Sequence, residues 1–298
     1  MSIKRFVQFI LAICVVASTL AQATAQTATT PPPRVMLLVR EEIKTGKMPD
    51  HEREANRFAQ ALTRANSPYH RIGMSPVAGN ENEVMYIWGF DSFATLEKSQ
   101  MDIEQWATGR YKAEFDAIAP LGGEDYHVSQ RDMIAVLRDD LSYNAPVKIG
   151  EMRYMSVSTL RVRPGQYAAF QEAARMYQDA MKKGRVEDNY AIYQVVSGAP
   201  DGIFLVFSPM KSLAKLDDYP ARRKAFMTAM GDDIKKMDKL AAEALNPGDN
   251  AIYRFNPRMS YVSREFAAAA PGFWNPPPVT ETPAPTNRRA AVRRGARQ

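Results

Sequence analysis

Between positions 34 and 262, short β-rich runs alternate with stretches whose apolar residues recur every three or four positions. The second half reads most clearly. Residues 151–163 form a strand carrying Tyr154, Val157, Thr159, Leu160 and Val162, ended by Pro164-Gly165. A helix follows, with Tyr167, Phe170, Ala174, Tyr177 and Met181 on one stripe and Gly184 just past its end. Strands are predicted at 190–196 and 202–207, around the hairpin loop Ser197-Gly198-Ala199-Pro200-Asp201-Gly202. Ser212 caps a second helical region carrying Leu213, Leu216, Phe226, Met230, Ile234 and Met237, which Pro220 kinks or divides. Asn246-Pro247-Gly248 ends it, and a last strand runs from about 251 into Tyr261 and Val262. The order strand, helix, strand, strand, helix, strand is the ferredoxin-like unit.

The first half repeats that order. Strands are predicted at 35–43, 69–77, 83–90 and 126–137. Its first helix carries Ala55, Phe58, Ala59 and Leu62; the second starts near Ser92 and turns Phe93, Leu96, Ile103, Trp106 and Phe115 inward. Specific strings recur too. Arg34-Val35-Met36 returns as Arg153-Tyr154-Met155, Gly46-Lys47 as Gly165-Gln166, Tyr69 as Tyr190, Leu96 as Leu216, and Leu141-Ser142-Tyr143 as Met259-Ser260-Tyr261, at offsets of 118 to 121 residues. This is a tandem duplication. A lone unit leaves one sheet face bare, so two units are expected to bury those faces against each other. Leu37 and Val39, or Met155 and Val157, would supply the shared interior. The predicted fold class is α+β: two tandem ferredoxin-like (βαββαβ) units packed sheet-to-sheet as an intrachain barrel. Unit 1 spans 34–145 and unit 2 spans 150–264.

The ends change the picture. Lys4-Arg5, the apolar run 6–20 and the small residues Ala23-Thr24-Ala25 read as a signal peptide over 1–25. The protein is therefore expected to be exported, periplasmic or extracellular, with no transmembrane segment in the mature chain. The single cysteine, Cys14, lies in that signal; Ile13 before it is too bulky for a lipoprotein box. The mature chain then has no thiol for a disulfide, metal or nucleophile. A linker covers 26–33, and a disordered Pro/Ala/Arg-rich tail covers 265–298. Of the net charge of +6, Lys4-Arg5 carry +2 and residues 267–298, with arginines at 288, 289, 293, 294 and 297 against Glu281, carry +4, which leaves a neutral body. The tail has the charge to touch anionic surfaces, while the body shows no bias toward nucleic acid. Oligomeric state is left open.

The string Leu160-Arg161-Val162-Arg163-Pro164-Gly165-Gln166, followed by Phe170, resembles the strand, Pro-Gly, helix opening of NIPSNAP-like and antibiotic-biosynthesis-monooxygenase-like domains in the dimeric α/β-barrel superfamily. The resemblance covers roughly 34–261. The first copy departs from it at Lys44-Thr45-Gly46-Lys47, which lacks the proline, so a surviving site is expected in the second copy. The resemblance implies a fused dimeric α/β barrel. It leaves open a cofactor-independent monooxygenase on quinols or polyphenols, a haem-binding protein, or a binder without chemistry.

No nucleophile elbow, phosphate loop or His-Glu-x-x-His motif occurs. The three histidines, His51, His70 and His127, show no metal-ligand spacing and read as structural or surface groups. His51 sits in a charged first helical turn beside Glu52 and Glu54. No metal is predicted and no cofactor is required, haem being the exception the resemblance allows. The expected partner is a small hydrophobic or planar ligand in a cleft between sheet and helices, with aromatic walls from Trp88, Trp106, Tyr190, Tyr193 and Phe207. Arg153 is a candidate carboxylate clamp. The competing reading of these aromatics is plain core packing.

Overall fold

The computed structural model describes residues 31–118 and 126–277. The expected signal peptide lies outside the described residues, as do most of the linker and positions 278–298 of the tail. Unit 1 contains β1 (Val35–Ile43), α1 (Met48–Arg64), β2 (Arg71–Ala78), β3 (Glu83–Phe90), α2 (Phe93–Thr108), α3 (Lys112–Asp116) and β4 (His127–Leu137). Unit 2 contains β5 (Tyr154–Val162), α4 (Tyr167–Lys183), β6 (Ala191–Ser197), β7 (Ile203–Met210), α5 (Tyr219–Met230), α6 (Asp233–Ala244) and β8 (Leu245–Phe255). Two short helices, α7 (Arg264–Ala268) and α8 (Pro271–Trp274), follow.

Each unit forms an antiparallel four-stranded sheet, β4-β1-β3-β2 and β8-β5-β7-β6. The pairings β2–β8 and β4–β6 then join the sheets into one closed barrel. Closure leaves no sheet edge open. This is the dimeric α/β barrel expected from the repeat. The units share their seams as well as their faces. Gly46 and Gly165, matched by the repeat, both take φ +80 at the turn leading into the first helix of their unit, where glycine meets little steric cost.

Met36, Leu38, Met155, Val157, Tyr193 and Phe207 lie in the barrel interior. Leu37 and Val39 do not; they pack on the helix side of β1. A one-residue change of phase exchanges the faces of a strand, and the unbroken apolar run 35–39 hides that phase. The repeat is also corrected at one point. Tyr190 bridges Tyr143 as Arg71 bridges Tyr261, so Tyr190 corresponds to Arg71 and not to Tyr69.

Other differences have local causes. Phe93 is exposed, because Ser92 caps α2 at its first turn and Leu96 is the first side chain carried to the sheet. Pro220 opens α5 instead of kinking it, where its missing N–H costs nothing. Asn246-Pro247-Gly248 lies within β8, at the register shift opposite Thr159 and Arg161. Such irregularities are where a strand tolerates proline.

The chain from 265 to 277, expected as part of the disordered tail, is folded. Ser263 caps α7, and Trp274 is buried against Phe255 and Phe266 with its indole N–H donating to the Gly150 carbonyl at 2.7 Å. Aromatic burial supplies here what the composition of the following stretch lacks. Trp274→Phe is expected to lower stability by about 1 kcal/mol, the worth of one such hydrogen bond. Urea unfolding measures it; an unchanged midpoint would mean that the segment is not docked. Among the described residues, no helix is long and apolar enough to cross a membrane.

Candidate functional site

Two cavities divide the sequence candidates. The larger, ≈ 830 Å³, opens at the barrel end where β1 and β5 begin. Tyr190, Tyr193 and Phe207 line it, together with Met36, Ile72 and Phe255. The smaller, ≈ 250 Å³, lies in unit 1 between the outer sheet face and α1, and Trp88 forms part of its wall. Trp106 lines neither; it joins the helix-side cluster of unit 1 beside Tyr69. Arg153 lines neither as well. It donates to the carbonyls of Gly150 and Met152, and its guanidinium lies 4.0 Å from the Phe273 ring centre. It therefore does not act as a carboxylate clamp in this arrangement.

The smaller cavity holds chemistry that sequence reasoning missed. The helix-facing phase of β1 runs Val35, Leu37, Val39, Glu41, Ile43, so Glu41 enters an otherwise apolar face. Tyr86 pairs with Val39, and Arg71 pairs with Trp88, so these side chains share that face. A bulge opposite Glu42 and Ile43 sets His127 against Ile43 in place of Val128. It thereby turns the imidazole into the cavity, a use to which bulges are put beside functional sites. From α1, His51 lies on the same stripe as Ala55 and Leu62 and is only 3 % exposed. Of the structural and surface roles expected for His51, burial excludes the surface one: its position in the first turn faces the sheet, not water.

His51 Nε2 is hydrogen-bonded to Tyr86 Oη at 2.8 Å and lies 3.3 Å from Glu41 Oε2. His127 Nε2 lies 3.4 Å from the same oxygen. One donor atom from each of Glu41, His51 and His127 fits within 4.8 Å, which makes this set capable of holding a cation. The guanidinium of Arg71 sits 3.5 Å from the Tyr86 ring centre and donates to the Met259 carbonyl at 3.0 Å. Burial pushes the His51 imidazolium down to about 4, with His127 and Arg71 acting in the same direction against Glu41. Burial also pushes the Glu41 carboxyl up, but the hydrogen bond from His127 and the charges of His51 and Arg71 outweigh it, and its pKa falls below the usual value. Burial holds the Glu54 carboxyl above its usual range and the Tyr86 hydroxyl well above its own. His51 Nδ1 and Glu54 Oε2 are buried with no hydrogen-bond partner, an expensive state for polar atoms.

Unit 2 supplies an internal comparison. Glu41 pairs with Val84 as Leu160 pairs with Phe204, and Val39 with Tyr86 as Ser158 with Val206. Ile43 pairs with His127 as Val162 pairs with Leu245. Helices α1 and α4 are both 17 residues long, which sets His51 against Phe170 and Glu54 against Ala173. Every ionisable group of the unit 1 cavity is therefore matched by Leu160, Phe170, Ala173, Tyr190, Val206 or Leu245, and most of these pack in one apolar core. The ionisable groups thus lie in unit 1, while a surviving site was expected in the second copy.

Haem does not fit the smaller cavity, whose volume falls below the ~300–1,000 Å³ of drug-sized ligand pockets. The larger cavity has the room, and His70 lines it. There His70 Nε2 accepts the Ser263 backbone N–H at 3.3 Å, a bond that axial ligation would have to replace.

No family model matches the chain. No curated protein matches it in sequence either. Among solved structures, the chain is similar to an anthrone oxidase-like protein at 14% identity, over 77% of this chain and 93% of that one, with a TM-score of 0.45. It is similar to a mutant chlorite dismutase from Candidatus Nitrospira defluvii at 9% identity, over 83% and 100%, with a TM-score of 0.45. A heme-binding protein from Thermus thermophilus gives 9% identity, over 76% and 94%, with a TM-score of 0.40. Likeness at this level carries no information about chemistry.

Proposed function

We propose that this is an exported protein whose unit 1 binds a small planar ligand, a single phenol or quinol ring, in the cleft between β-sheet and α1. The observation that carries the reading is the internal comparison. The same fold fills the same space with mostly apolar side chains in unit 2, so the buried Glu41, His51 and Arg71 and the half-buried Glu54 and His127 are not required for folding. Burying such groups costs free energy, and a ligand is the ordinary reason to keep them. Trp88 and Phe58 offer flat walls, and Arg71, Tyr86 and the imidazoles offer partners for ring oxygens. The export reading rests on the first 25 residues; N-terminal sequencing of protein recovered outside the cytoplasm tests it, with a start near Gln26 expected.

Calorimetric titration with hydroquinone tests the ligand class. One saturable site is expected, and Trp88→Ala should weaken it about tenfold, the worth of one aromatic contact. Tyr193→Phe, in the other cavity, should leave it unchanged. Absence of binding, or the opposite ranking of the two variants, contradicts the reading.

The enzyme reading is favoured by the burial of His51, Tyr86 and Trp88 around the ring position, which would exclude bulk water from it. In a cofactor-independent oxygenation the substrate RH2 reduces both atoms of oxygen, giving RO and water. Oxygen uptake with a panel of quinols measures this. Rates above buffer support it, and rates equal to buffer leave a binding protein.

A further inference from the structure

We infer that Glu41, His51 and His127 form a binding site for one divalent transition-metal ion. The inference rests on the reading of unit 1 as the functional half, but not on the identity of its organic ligand. Two imidazoles and one carboxylate are the donor set that holds a divalent iron-type ion on one face and leaves the opposite positions open. The two carboxylate–imidazole spacings suit it, and all three donors lie within 4.8 Å of one another. Donors bound at about 2.1 Å stand about 3.0 Å apart in an octahedron and about 3.4 Å apart in a tetrahedron. Glu41 Oε2 is 3.3 Å from His51 Nε2 and 3.4 Å from His127 Nε2. The two imidazole rings meet edge to face at 86°, with centres 5.3 Å apart, and do not stack.

The surroundings complete the case. Glu41 is 9 % exposed and His51 3 %, so the carboxylate would face its cation with little water between. The donors come from β1, α1 and β4, three separate elements, and the bulge in the β1–β4 ladder brings His127 into place. Ligation through His51 Nε2 would displace its bond to Tyr86 Oη, and the freed hydroxyl would then be placed to hydrogen-bond a water on the ion. At the matching positions unit 2 has Leu160, Phe170 and Leu245, none of which can ligate. Trp88 and Phe58 line the same cavity as the three donors.

The test uses the untagged mature chain, stripped with EDTA, dialysed and titrated with Co(II), whose visible absorption reports the coordination sphere. One equivalent per chain is expected to saturate the band. Glu41→Gln and His127→Gln should each weaken binding by roughly a hundredfold or more, while His70→Ala leaves it unchanged. Circular dichroism and the unfolding midpoint check each variant; should Glu41→Gln fail to fold, His127→Gln at the half-buried end of β4 decides the matter. No saturable band, or equal affinity in the wild type and both ligand variants, overturns the inference. Hydroquinone titration in EDTA separates it from the ligand reading. Hydroquinone binding without a Co(II) site removes the metal alone; a Co(II) site without hydroquinone binding removes the ring alone.

Discussion

A chain carrying Glu41→Leu, His51→Phe, Glu54→Ala, Arg71→Tyr, Tyr86→Val and His127→Leu is expected to fold, to unfold at or above the wild-type midpoint, and to lose hydroquinone binding entirely. These substitutions write unit 2's residues into unit 1. Replacing a buried ionic cluster with packed apolar groups is neutral or stabilising by about 1–4 kcal/mol. The orphaned His51 Nδ1 disappears with the exchange, which adds to the gain. Single changes should behave in the opposite way. Arg71→Leu alone removes the cation beside Glu41 and the bond to the Met259 carbonyl, and breaking such a buried set from one side costs about 3–5 kcal/mol. The sign reversal between one substitution and the set is the diagnostic, because groups in direct contact are not additive. Urea unfolding of both proteins measures it. If the sixfold variant were the less stable of the two, the cluster would be a structural support and not a retained site.

The second large effect concerns the seam between the units. Gly198, just past β6, has φ +86, and an added Cβ would fall 1.9 Å from the Asp132 carbonyl oxygen on β4. Gly198→Ala is expected to cost about 3 kcal/mol or more: about 1–2 for the left-handed backbone and the rest for moving two paired strands apart. Gly46→Ala is the control. Its φ is +80, but nothing lies within 4 Å of the new Cβ, so only the backbone cost of about 1–2 kcal/mol remains. Equal losses from the two substitutions would mean that β4 and β6 do not meet there and that the barrel is open.

Much of this architecture was legible in the chain. The repeated strings carry the duplication, and the element order within each copy carries the unit. What was not legible depended on phase. The run 35–39 has no polar residue to mark a face, yet the match of Met36 with Met155 puts Met36 and Leu38 inside, and the same count turns Glu41 toward the helices. Tyr69 looked like the partner of Tyr190 because both are tyrosines, and that shift of two residues concealed the exchange of Arg71 for an aromatic. His127 was beyond reach of periodicity, since a bulge inverts its side relative to a regular strand. His51 did leave a signal. It falls on the apolar stripe with Ala55 and Leu62, where a titratable residue stands out once that stripe is known to meet the sheet.

The most direct test of the account is a crystal structure of the mature chain grown with hydroquinone. The account predicts density for the ring in the unit 1 cleft, between Trp88 and the side chains of His51 and Arg71, and a dry, filled core at Leu160 and Phe170 in unit 2. Density for the ring in the barrel-end cavity beside Tyr193 and Phe207, with only water in the unit 1 cleft, would contradict it.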